Sequence, residues 1–187
     1  MVSENIGLIK RKTLSYTKNI IIYFFIYAFI GWIIEVFFVW YKVGVLEKRG
    51  FLFGPICPIY GYGALMLILT LKPHTKNKLK LFFSAIILFS TLEYIVGFAL
   101  EAFFKMTLWN YSGDFFNLNG RISLYISIIW GFLSLIIIYY IHPFIKKHLQ
   151  NLENKLSYTL MNTIFYILCG LYIVDTLASI FRHAMLI

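Results

Sequence analysis

Five apolar runs, at about 20–41, 55–71, 81–104, 121–141 and 158–181, decide what this chain can become. A helix rises about 1.5 Å per residue, so each run comes close to spanning the roughly 30 Å of bilayer hydrocarbon. At that depth no water satisfies a backbone N–H or C=O, and the runs must therefore be helices packed on one another. The expectation is an all-α, polytopic transmembrane bundle forming a single integral membrane domain over 1–187. Composition agrees: 60% of the 187 residues are hydrophobic and 13% charged, where a soluble domain carries about 25% charged residues.

The second run is the irregular one. Gly54, Pro55, Pro58, Gly61 and Gly63 interrupt it, so its first half is not expected to be continuous helix, and regular helix is expected from near Pro58. The first run follows a basic N-terminal stretch, is longer than a signal-peptide core and lacks a small-x-small cleavage site, which reads as a signal anchor. His142, Pro143 and the charged segment that follows are expected to end the fourth run. Residues 105–120, with Asn, Gly, Asp and Ser beside Trp109 and Tyr111, have the composition of an interfacial loop.

Basic residues divide unevenly between the two sides of such a bundle. The N-terminus and the 72–80 and 142–157 loops hold eleven Lys and Arg, from Lys10 to Lys155, and the other side holds six. The positive-inside rule then places the N-terminus in the cytoplasm and, with five spans, the C-terminus outside.

Four acids, Glu35, Glu93, Glu101 and Asp175, lie inside the apolar runs. A carboxylate in hydrocarbon is costly unless it meets a partner, a cavity or a proton, so each marks either a functional site or a polar strut between helices. Arg49 and Arg121 fall in the loops on the outer side. A guanidinium grips a carboxylate or phosphate through two parallel hydrogen bonds, and such an Arg beside an acid suits an anionic or zwitterionic ligand; the plainer reading is anchoring at the headgroups. Pro55, Cys57 and Pro58 leave backbone groups free to line a cavity, or simply kink a helix entry. Tyr60, Trp109 and Tyr111 suit ligand contacts or an aromatic belt, and Asn119 a turn or a ligand contact.

Two octapeptides share a pattern. Residues 31–38 read GWIIEVFF and 97–104 read GFALEAFF. In each, Gly and Glu stand four apart on one helical face, so a neighbouring backbone can approach where the carboxylate emerges. This suggests two parallel helix-loop-helix units, spans 1–2 and spans 3–4, with Glu35 and Glu101 facing one cavity and Arg49 and Arg121 approaching it.

Other classes are excluded or unsupported. No Walker A, nucleophile elbow or dinucleotide fingerprint occurs, so ATP-driven work would need a separate ATPase chain. Cys57 and Cys169 form no CxxC pair, no metal-ligand spacing occurs, and neither cofactor nor metal is expected. The net charge of +9 is strung between apolar runs with no basic groove module, which fits orientation signals and lipid headgroups rather than nucleic acid.

The string RGFLFGPICPIYGYGAL, preceded by GWIIEV and followed by LEYIVGFALEAFF, LWNYS and NLNGRISL, resembles the putative ABC-transporter type IV, or CmpB-like, family of Firmicutes membrane proteins over roughly residues 28–135. In that pattern Glu35, Arg49, Glu93, Glu101 and Arg121 fall on motif positions. The family has Trp-Asp-Tyr where this chain has Trp109, Asn110 and Tyr111, so an acid of the pattern is missing here. The resemblance implies a multi-pass permease-like protein of the bacterial cytoplasmic membrane, with a partner ATPase and a homodimer. Two other functions stay open on the sequence: a small membrane-embedded enzyme acting on a lipid or lipid-linked substrate at the outer leaflet, and an accessory subunit without turnover. No catalytic residue is assigned.

Overall fold

The structure, a computed structural model, describes residues 2–185, with side chains from Tyr16 onward. The basic residues at 10–12 counted above lie outside the described side chains. The chain is an all-α bundle, with a single two-stranded hairpin in a loop among the described residues.

Helix α1 (Val2–Val43) is continuous and stops where Gly44 takes a left-handed φ of +75°. An irregular segment then leads back to α2 (Pro58–Met66), which starts at Pro58 as its composition requires: a missing N–H is harmless in a first turn. Cys57, at the N-cap, donates its N–H to the Ala28 carbonyl of α1 at 3.0 Å. Small residues set the α1–α2 spacing. Gly61 lies so close to Phe24 that a Cβ there would meet its ring at 2.5 Å and its carbonyl oxygen at 2.8 Å, the backbone approach that helices in lipid achieve through small residues.

Beyond Met66 the helix widens into a π segment, Leu67–Leu71, before the short α3 (Lys72–His74). The cause is Pro73. It offers no N–H to Leu69, and its ring would strike that carbonyl; the wider turn takes up the strain, with the Lys72 N–H reaching back five residues to Leu67. The same device recurs 70 residues later. Helix α5 (Leu124–Ile136) passes through a π segment, Ile137–Ile141, into α6 (His142–Lys155), and the His142 N–H bonds Ile137 just before Pro143. The π turn carries the helix past the proline to Lys155, although the apolar run gives way to the charged segment after Ile141.

Between these, α4 (Lys78–Phe104) starts on an Asn77 side chain that accepts from the Leu79 and Lys80 N–H groups, and ends at Lys105 with φ of 50°. It packs on α5 through Gly131, which lies against Phe82, and through a 2.7 Å bond between the Ser90 and Ser127 hydroxyls. The loop between α4 and α5 contains β1 (Asn117–Leu118) and β2 (Ile122–Ser123), antiparallel, with Asn119 and Gly120 both at positive φ in the turn. Helix α7 (Tyr158–Ala184) closes the bundle. The core gathers Tyr23, Tyr27, Ala64, Leu67, Leu81, Ala85, Phe89 and Ile138.

Four of these helical stretches are long and apolar enough to cross a membrane: Tyr16–Val43, Lys78–Phe104, Leu124–Lys155 and Tyr158–Ala184. The segment expected as a fifth, 55–71, is helical only from Pro58, continues to His74 and is shorter than the other four.

Candidate functional site

Glu35 and Gly31 share one face of α1, and α2 is seated on it. A side chain at 31 would overlap the Tyr60 ring, so only glycine lets Tyr60 lie across α1, and from there its hydroxyl donates to Glu35 Oε1. Arg49, carried by the irregular segment, reaches the other oxygen: its Nη2 is 3.4 Å from Glu35 Oε2 and donates to the Leu108 carbonyl at 3.2 Å. Both side chains keep about a quarter of their surface exposed, 24% for Arg49 and 28% for Glu35, so the pair is reachable.

Glu93, on α4, is 6% exposed. Its Oε1 accepts from the Tyr111 hydroxyl at 2.8 Å and its Oε2 from the Trp130 indole at 3.3 Å. Those donors are neutral. No cation pairs with Glu93 among the described residues. Burial, then the Glu93 carboxylate, push the Tyr111 phenol above its ordinary range, which keeps it a proton donor in this bond.

The two acids belong to one cluster. The Tyr60 and Trp130 rings meet at a centroid distance of 5.7 Å, and each hands its polar end to a different carboxyl group. Glu35 is near enough to act electrostatically on both Glu93 and Tyr111. Helices α1, α2, α4 and α5 and the loop after α4 therefore converge on one polar network inside an apolar bundle.

Glu101 and Arg121 form a second and different pair. Arg121 donates to Glu101 Oε2 through Nε at 3.1 Å and Nη2 at 2.6 Å, and to the Tyr94 hydroxyl through Nη1 at 3.2 Å. It also lies over the Tyr94 and Phe98 rings. Every nitrogen of that guanidinium is used within the protein. Arg49 contrasts with it: both of its bonds leave from Nη2, and its buried Nε has no partner. A buried donor left unmatched is uncommon enough to need a reason.

The remaining sequence candidates separate by role. Asp175 accepts from the Phe53 and Gly54 N–H groups, each at 2.8 Å, and from the Ser179 hydroxyl at 3.2 Å, fixing the irregular segment against α7. Trp109 donates its indole N–H to the Arg121 carbonyl at 2.9 Å, and Asn119 donates to Tyr94 at 3.0 Å from the hairpin turn. Asn110 accepts from the Ser112 N–H at 2.9 Å, a turn contact. Pro55 is exposed, Cys57 buried, and Pro58 opens α2. The structure thus brings Glu35, Arg49, Tyr60, Glu93 and Tyr111 together, and draws Glu101, Arg121, Trp109 and Asn119 into a neighbouring strut.

Sequence reasoning missed Trp130 and the Leu108 carbonyl. A signal for Trp130 existed: Trp130-Gly131 stands 70 residues after Tyr60-Gly61, the same interval that separates Pro73 from Pro143. No side-chain pattern signals a backbone carbonyl.

Chemically, the cluster offers a guanidinium with donors to spare, a carboxylate beside it and aromatic walls. That set suits recognition of an anionic or zwitterionic group. A family model described as Putative ABC-transporter type IV matches residues 22–180. No curated protein and no solved structure matches the chain.

Proposed function

The chain belongs to the Putative ABC-transporter type IV family, and from that premise we propose that it is a permease-like membrane subunit served by a separate ATPase chain. A second copy of the chain completes the proposed assembly, in the bacterial cytoplasmic membrane. Its ligand is an anionic or zwitterionic small molecule engaged from the outer side by Arg49, with Glu35 and Tyr60 holding the guanidinium in place.

The observation that carries this reading is the state of Arg49. Both of its bonds leave from Nη2 while Nη1 bonds nothing among the described residues, on a side chain that stays about a quarter exposed, and a carboxylate or phosphate is the partner such a fork grips. Glu35 offsets the guanidinium charge when the site is empty and gives an ammonium-bearing ligand a counter-charge.

The test is assembly and coupling. Purified in mild detergent from its native membrane, the tagged chain should bring down a nucleotide-hydrolysing protein, and hydrolysis by the reconstituted complex should fall with Arg49→Gln and survive Arg121→Lys. A chain recovered without any ATPase under conditions that preserve other transporters would remove the proposal.

A further inference from the structure

A cavity of about 420 Å³ lies at the other end of the bundle, between the start of the apolar part of α1, the π turn after α2, and α6. Asn19 in its wall and Glu35 are 16 residues apart on one helix, so the two sites are separated by about 24 Å along the axis. Nothing in the Arg49 cluster extends to it.

Its lining is divided. Ile68 and Leu69 supply an apolar wall, while Lys72, Lys146, His142 and Asn19 supply polar groups. Lys72 and Lys146 both line the cavity; the Lys146 charge acts on Lys72, and both act on His142. Among the described residues, neither lysine forms an ion pair. Glu153 acts on Tyr23 in the same wall. His142 is buried, and its Nδ1 lies 3.3 Å from the Tyr27 hydroxyl. Two cations thus line one cavity beside an apolar surface with no counter-ion among the described residues, at the end of the bundle that also carries Lys76, Lys78, Lys80 and Lys147.

From this geometry we infer that the cavity is a binding site for a phosphate-bearing ligand, its phosphate between Lys72 and Lys146 and its apolar part against Ile68 and Leu69. Basic pockets between helices at the cytoplasmic face take anionic lipid headgroups in this way. A soluble organic phosphate offers the same headgroup chemistry without the acyl chain. Either occupant bridges the two proline-associated π turns, because Lys72 and Pro73 border one of them and His142 follows the other.

Native mass spectrometry of the purified full chain in detergent, titrated with dioleoyl phosphatidylglycerol or with inorganic pyrophosphate, tests the site. Each lysine near a lipid phosphate contributes about fivefold in affinity, so Lys72→Gln with Lys146→Gln should weaken binding by about 20- to 30-fold. Lys147→Gln, outside the lining, should leave it unchanged, and the pair Lys72→Arg with Lys146→Arg should retain it, which separates lost charge from lost fold. Leu69→Trp narrows the apolar wall: it should reduce retention of the lipid but not of pyrophosphate, identifying which source fills the cavity. Retention of neither probe, or equal loss in the Gln pair and in Lys147→Gln, overturns the assignment.

Discussion

Gly31→Ala should be among the most damaging single-methyl changes in the protein. The added carbon would collide with Tyr60 at its Cβ and Cγ, the root of that side chain, so no rotamer change relieves the clash and α2 has to move off α1. Overpacking of this kind costs roughly 1–3 kcal/mol. The displacement also pulls the Tyr60 hydroxyl from Glu35, a bond to a charged group contributing about 1.5–3 kcal/mol. Together that is on the order of 4 kcal/mol, or about 10 °C in melting temperature for a chain of this size. Thermal unfolding in detergent, followed by tryptophan fluorescence, reads it. Gly170→Ala is the control: nothing lies within 4 Å of a Cβ there, and in a helix alanine is favoured by up to about 1 kcal/mol. The decisive comparison is Gly31→Ala with Tyr60→Gly. Removing the whole side chain, Cβ included, removes the atoms the new methyl strikes, so the double variant should be about as stable as Tyr60→Gly alone. Losses that simply add would refute the account of Gly31.

Three further outcomes follow from the contacts. Glu35→Gln and Arg49→Gln should each destabilise the protein more than their combination does, with coupling of about 1–3 kcal/mol; additive melting shifts across that double-mutant cycle would mean the pair is idle. Asp175→Asn weakens bonds to two backbone N–H groups of the irregular segment and should cost about 2 kcal/mol while raising proteolysis between residues 44 and 57; unchanged cleavage would show that α7 is held elsewhere. For orientation, cysteines at Lys76 and Ser112, both exposed, in a background without Cys57 and Cys169, should react differently with an impermeant thiol reagent on intact cells. Labelling at Lys76→Cys but not at Ser112→Cys would reverse the proposed topology.

The bundle was legible from residue order to the extent that solvent decides it. Long apolar runs become helices whatever their neighbours, and Pro58 opens α2 because its ring and missing N–H suit a first turn. The local Gly31–Glu35 pattern also pointed correctly at the face on which another helix sits. What could not be read depended on which groups meet across the fold. Glu93 finds Trp130 and Tyr111 on separate segments, and eight-residue spacing to Glu101 says nothing of either. Arg49 and Arg121 look alike in sequence. They differ only because Tyr94, Phe98 and Glu101 surround one on several sides, whereas the other meets Glu35 and a lone carbonyl. The helix past Pro143 was hidden for a related reason: a proline ends a helix unless the preceding turn widens, and that depends on which carbonyl each N–H can find.

Helix α7 is attached in a way that fixes its height in the membrane more firmly than its lateral grip. Much of its surface, including Tyr166, Leu171, Val174 and Phe181, is exposed. In hydrocarbon that surface gains little by leaving lipid for protein, so greasy contact alone does not hold a helix beside its neighbours. The Asp175 carboxylate fastens one part to the backbone at Phe53 and Gly54. Thirteen residues earlier, about 20 Å along the axis, Asn162 accepts from Lys18 of α1 at 2.5 Å. Sliding α7 by a single turn would break both fastenings together, and with them the Tyr172 bond to Tyr62 and the Arg182 bond to the Phe51 carbonyl. The last helix is consequently set in register like a bar pinned near its two ends, free to exchange the lipid along its flank without losing its depth.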